Sequence, residues 1–193
     1  SLTQGDFFNI LDQYPEFLRP KIISILKYLK HKKKKGHCSQ VYIYTNNQGP
    51  KSWATQIKNY FEHKLSYKLF DQIIAAFKVR HKHVELCRTT HDKTVEDFLK
   101  CTNLHKQTKI CFLDDQYHPL MEHKQVNYIN VKPYNHDLSF TEMTKRFINN
   151  TQIGKQFGEE DKKTFTTFVN NFVKAYSFYS KKKDKKDKQI DTI

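Results

Sequence analysis

Apolar residues in this chain follow two rhythms. Over residues 21–35, KIISILKYLKHKKKK, Ile22, Ile25, Leu26 and Leu29 recur at helical spacing, which puts them on one helical face, and Pro20 suits the first turn. The lysines gather at the carboxyl-terminal end, where cations complement the helix dipole, and Gly36 stops the segment. Helical spacing resumes over residues 50–64 through Trp53, Ile57, Tyr60 and Phe61. Residues 69–77, LFDQIIAAF, read as a second short helix, Asp92 to Leu104 as a helix with Val95, Phe98 and Leu99 on its apolar face, and further helices are expected at 140–149 and 160–179. The other rhythm is short and rich in β-branched and aromatic residues. It predicts strands at Gln40 to Thr45, at Thr108 to Leu113 and at Val126 to Val131, the first halted by Asn46, Asn47, Gly49 and Pro50. Residues 79–88 read as an irregular or strand-like connection. Strand, helix, strand, helix, strand is the pattern of an α/β parallel sheet with helices on both faces.

On this reading the chain divides into a lead-in segment with a short helix (1–17), an α/β domain (18–150), a C-terminal helix (151–180) and a basic, disordered tail (181–193). Charge adds a candidate class of partner. Lys and Arg number 34 against 20 Asp and Glu, a formal charge of +14, which points to nucleic acid, another polyanion or a phosphorylated substrate, or else serves solubility. The excess is local: Lys27 to Lys35 holds six lysines, and Lys181 to Lys188 six more with two aspartates. Aromatics interleave with lysines around Tyr176 to Lys183, yet Phe165, Phe168, Val169, Phe172 and Tyr176 have the helical spacing of a core face. The four cysteines, Cys38, Cys87, Cys101 and Cys111, form no C-x-x-C pair, which argues against a zinc knuckle and predicts free thiols in a reducing compartment. No apolar run approaches the ~18 residues of a membrane span, and the start lacks a signal-peptide pattern, so the chain is expected to be soluble and intracellular, cytoplasmic or nuclear.

Ligands of an open parallel sheet bind at the carboxyl ends of its strands. There stand Thr45, Asn46 and Asn47 after one strand and Asp114 and Asp115 after another. A hydroxyl with amides can hold phosphate oxygens, and paired carboxylates hold Mg²⁺, a hard cation that takes oxygen ligands. Lys93, at the start of a helix, could reach the same anion. Taken singly, each residue also suits a plainer role: Thr45 in a turn, Lys93 in solvent, Asp114 and Asp115 as a cap.

In this order, Leu18-Arg19-Pro20 with a helix, VYIYTNN (Val41 to Asn47), Lys93 before a helix and FLDDQYHPLM followed by NYINVKPY, the chain resembles the haloacid dehalogenase superfamily of phosphohydrolases, especially the branch with the phosphatases of the RNA polymerase II tail. The resemblance covers about residues 18–150. It implies a Rossmann-like parallel sheet, with Thr45 and Asn46 as phosphate ligands, Lys93 as the cation that stabilises the transferring phosphoryl group, and Asp114 and Asp115 as Mg²⁺ ligands. It also implies a first strand ending Asp-x-Asp, which supplies the nucleophile and the general acid and base. No such motif precedes Leu18, where Asp6 and Asp12 are the only aspartates. The expectations are therefore a magnesium-dependent phosphohydrolase domain that needs an upstream Asp-x-Asp segment, a catalytically inactive interaction or structural protein of the same fold, or a basic nucleic-acid-binding protein.

Overall fold

The structure, a computed structural model, describes residues 3–175; the basic stretch 181–193 and the last residues of the helix expected at 160–179 lie outside them. Two compact units emerge. Residues 3–9 and 17–135 form the first, residues 10–16 and 136–175 the second, so the helix expected at 140–149 groups with the C-terminal segment rather than with the α/β domain drawn at 18–150.

The first helix is α1 (Gln4–Gln13). In the first unit, α2 (Ile22–Lys34) starts one residue after Lys21, which adopts φ 63°, so Pro20 precedes the helix instead of occupying its first turn. The amides of Gly36 and His37 close α2 on the carbonyls of Lys33 and Lys32, a cap that needs the positive φ of Gly36, 73°. Leu26 is buried with Leu65 at the end of α3 (Lys51–Leu65) and with Leu69, and Ile22 and Leu29 pack on that cluster. Ile25, expected on the same face, is 42% exposed.

Residues 69–77 are not helical. Gln72–Ile74 forms strand β2, parallel to β1 (Tyr42–Tyr44), with Leu69 and Ile74 fully buried and Ala75, Ala76 and Phe77 also buried. The continuous apolar run at 73–77 suits a strand covered on both faces, and its periodicity alone cannot separate that from a buried helix. The connection that follows is a small antiparallel hairpin, β3 (Lys78–Val79) with β4 (Lys82–His83). α4 (Val95–Thr102) comes next, and β5 (Ile110–Asp114) pairs in parallel with β6 (Val126–Asn130).

The unit is thus mixed α/β, with the parallel pairing that the sequence predicts. Its strands form three separate two-stranded sheets instead of one continuous sheet. One core serves both parallel ladders: Ile74, Val95, Phe98, Ile110, Phe112 and Met121 are buried together, with Tyr42, Tyr44, Val126 and Tyr128 packed against them.

Two of the four cysteines are not free. Cys87 and Cys101 form a disulfide, their Cα atoms 5.1 Å apart, while Cys38 and Cys111 are free thiols. Chain folding brings together residues whose spacing carries no motif, and the expectation of four free thiols is corrected accordingly.

The second unit holds α5 (Phe140–Asn150), α6 (Gln152–Lys155) and α7 (Glu159–Ala175). Gly154 lies against the carbonyls of Phe147 and Ile148, where a Cβ would collide with backbone. Phe147 stacks on Phe165 and both rings pack against Phe157, Tyr14 donates to the Met143 carbonyl at 2.7 Å, and Arg146 pairs with Glu16 and Glu142. Phe168 is 63% exposed and Phe172 43% exposed, so the aromatic face of α7 is only partly a core face. No helix among the described residues is long and apolar enough to cross a membrane.

Candidate functional site

Lys93 reaches its position through a tightly built approach to α4. Thr94 caps the helix, its hydroxyl accepting the Asp97 amide at 2.9 Å, and the buried Asp97 carboxylate accepts both the amide and the hydroxyl of Thr89 at 2.9 Å. The Cys87–Cys101 bridge ties the start of this segment to the last turn of α4. Lys93 is consequently buried, 6% exposed, with its ammonium 2.5 Å from Asp114 at the carboxyl end of β5.

The Asp114 carboxylate accepts from two donors. Besides Lys93, the Gln116 amide donates at 2.9 Å, and His118 Nε2 stands 3.6 Å away. Burial on its own would raise the Asp114 carboxyl, but Lys93, the Gln116 amide and His118 outweigh it and hold the group below its ordinary value. His118 moves down as well, because burial and the Lys93 charge disfavour its protonated form more than Asp114 favours it. Asp115 points another way, its carboxylate 3.7 Å from Arg19, whose guanidinium lies over the Tyr134 ring at 5.8 Å.

Arg19, Asn46, Asn47, Lys93, Asp114, Asp115 and Gln116 line one open pocket of ≈ 580 Å³. Of the residues singled out in the sequence, Asn46, Lys93, Asp114 and Asp115 therefore meet. Thr45 is at the end of β1 beside them but not in the lining, and its hydroxyl accepts the Asn47 amide at 3.1 Å.

Three residues carry weight that the sequence reading did not assign. Arg19 belongs to the Leu18-Arg19-Pro20 stretch, whose position ahead of a helix was the available signal. His118 follows Asp114 by four residues. Arg88 had no signal at all. It is 3% exposed and donates to the carbonyls of Ala75, Thr45, His91 and Asp92 and to Asn46 Oδ1, so it stitches together the ends of β1 and β2. Its Nε lacks a partner, and none of its acceptors is a carboxylate.

Among the described residues no group of three or more His, Cys, Asp or Glu side chains could hold a metal ion. The Asp114–Asp115 donor set is nonetheless of the kind Mg²⁺ uses, because that ion is often held by one or two carboxylates and completes its shell with phosphate oxygens and water. No protein-family model, curated protein or solved structure matches this chain.

Proposed function

We propose that the first unit is a phosphohydrolase domain of the haloacid dehalogenase type, acting on a phosphomonoester once an Asp-x-Asp segment from outside these residues completes it. The observation that carries this reading is the Lys93–Asp114 pair at the end of β5, sharing a pocket with the Asn46–Asn47 turn that follows β1. Lys93, buried and cationic, neutralises the oxygens of the transferring group, and the Asn46 and Asn47 amides with the Thr45 hydroxyl orient them. Asp114 and Asp115 would hold Mg²⁺, which would supply neutralisation of phosphate charge there. Neither carboxylate is free to attack phosphorus in this arrangement, since one is occupied by Lys93 and both are assigned to the metal. The parallel ladders on a shared core support a Rossmann-like sheet as the completed form.

Phosphorus NMR with inorganic phosphate and Mg²⁺ tests the proposal. Residues 1–193 should bind phosphate, Lys93→Met and Asn47→Ala should weaken binding with the fold retained by circular dichroism, and para-nitrophenyl phosphate should not be turned over. No phosphate binding would refute the reading, and robust turnover would refute the need for a further nucleophile.

A second reading, polyanion binding, is favoured by the surface of α2. Lys30 and Lys34 lie over the Tyr67 ring at 5.5 Å, and Lys32 lies 5.3 Å over Tyr28, which is 58% exposed, so cations and aromatic faces are presented together. Binding to single-stranded RNA that weakens steeply with salt would support it, and no binding at low salt would dismiss it.

A further inference from the structure

An arginine carries only donors, set in a rigid planar fork. In Arg88 that fork closes on oxygens from three segments of the chain. Nη1 donates to Asn46 Oδ1 at 2.7 Å, to the Ala75 carbonyl at 3.0 Å and to the Thr45 carbonyl at 3.4 Å. Nη2 donates to the carbonyls of His91 at 3.0 Å and Asp92 at 2.9 Å. The guanidinium also lies over the Tyr44 ring at 4.8 Å, and Lys93 Nζ stands 5.6 Å from the centre of the same ring. Arg88 is 3% exposed and does not itself line the pocket.

One of those oxygens belongs to a side chain that does line it. The Asn46 amide has an acceptor end and a donor end, and a guanidinium can bind the acceptor end alone. Arg88 therefore fixes which way the amide faces, with Oδ1 on the guanidinium and Nδ2 on the other branch. No described residue accepts a hydrogen bond from Nδ2, and Asn46 shares the open pocket with Lys93, Asp114 and Asp115. The same guanidinium holds the two carbonyls immediately ahead of Lys93, the residue that brings an ammonium to that pocket. All the acceptors of Arg88 are neutral, so its charge is left uncancelled behind Asn46.

We infer that Arg88 is the positioning residue of the anion site. By occupying the Asn46 oxygen it presents Nδ2 to the pocket as a donor to an oxyanion, and by holding the His91 and Asp92 carbonyls it sets the main chain from which Lys93 reaches the same ligand. An amide held this way cannot turn its oxygen to a metal ion. The pocket thus takes an oxyanion at Asn46 and a cation only at its carboxylates, and the uncancelled charge of Arg88 favours the anion further. The inference rests on the proposed function for the identity of that oxyanion, a phosphoryl oxygen, but not for the Arg88–Asn46 pairing.

Asn46→Asp in residues 1–193 separates the two ends of the amide. It keeps an oxygen for Arg88 and gives that guanidinium a carboxylate partner, so the urea midpoint should hold or rise. Its second oxygen, now anionic, replaces the Nδ2 donor. Inorganic phosphate, followed by phosphorus NMR, should therefore bind about tenfold more weakly than to the wild-type protein, and more weakly than to Asn46→Ala. In ¹⁵N-labelled protein the Asn46 Nδ2 signals, assigned by their loss in Asn46→Ala, should shift with phosphate. They should shift little in Arg88→Lys, which keeps the charge but loses the fork. Asn46→Asp retains Arg88, so it decides the matter even where Arg88→Lys fails to fold. A lower midpoint for Asn46→Asp would overturn the Arg88 contact. Phosphate binding by Asn46→Asp as tight as by Asn46→Ala, or Nδ2 signals unmoved by phosphate in wild-type protein that binds it, would overturn the amide orientation. No phosphate binding by the wild-type protein would refute the phosphohydrolase reading and the oxyanion role with it, while a raised midpoint in Asn46→Asp would still uphold the Arg88–Asn46 pairing.

Discussion

The two parallel ladders of the first unit differ in the opposite sense to their lengths. β1–β2 pairs three residues and is covered on both sides: Tyr42, Tyr44 and Ile74 face the core shared with Phe98, while Val41 packs on the cluster of Leu26, Leu65 and Leu69. β5–β6 pairs five residues and buries one face only, with Ile110 and Phe112 inward. On its other face Leu113 and Ile129 stand opposite each other, 54% and 39% exposed. The short ladder is therefore held mainly by packing, and the long one depends more on its hydrogen bonds and on the polar cluster at its end. The acidic chemistry sits on the second, where charged groups displace little core.

The largest effect should come from the end of the long ladder. Lys93→Met leaves Asp114 half-buried without its cation, and breaking such a pair typically costs about 3–5 kcal/mol, readable as a lower midpoint in urea. Combining it with Asp114→Leu should restore much of the loss. If the single variant is neutral, the polar cluster does not hold this ladder.

In the short ladder, Ile74→Ala removes a fully buried side chain and should cost about 2–5 kcal/mol by the same measurement. A loss below about 1 kcal/mol would mean that the ladder is not packed on both sides as described. Opening the Cys87–Cys101 bridge with Cys87→Ser and Cys101→Ser releases a loop of sequence separation 14 between the ladders, worth about 3 kcal/mol on the chain-entropy account. The loss should appear with thiols blocked as well as in reductant.

Acid separates the ladders by titration. His118 is lowered in the fold, so the unfolded chain takes up its proton first, and stability should decline as pH falls below about 6.5 and until the folded group is protonated too. Asp114, also lowered, contributes stability that is present above its unfolded value of 3.8 and is lost as pH falls through its lower folded value. In His118→Asn the first decline should vanish and the second remain. An unchanged profile between pH 7 and 5 would show that His118 is not the group. The smallest effect belongs to Leu113→Ala, which should stay within about 0.5 kcal/mol, because its side chain is mostly in water.

β5, β6 and α4 were legible because their apolar periods are clear, and Asp114–Asp115 marks the end of β5. β2 was not, since residues 73–77 are apolar at every position and have no alternation to betray a strand. The hairpin of β3 and β4 is too short to leave a period. Within the site, Asn46, Lys93, Asp114 and Asp115 could be found from their places at element ends. Arg88 could not, because its role is to bind carbonyls gathered from distant segments, and a main-chain acceptor has no residue identity to read. The disulfide was hidden for a similar reason: the proximity of Cys87 and Cys101 is made by the folded path between them.

Among the described residues β1 and β5 each pair with one strand only, and the edge this leaves on each bears on how the molecule behaves in company. Unpaired main-chain edges are templates for association, and here one of them carries the exposed Leu113 and Cys111. A formal charge of +14 makes copies repel one another at low ionic strength. At ~1 M salt the screening length shrinks to about 3 Å, and that barrier largely disappears. Salting-out steps, common in purification, would thus favour precipitation through these edges, whereas dilute buffer would keep the molecules apart.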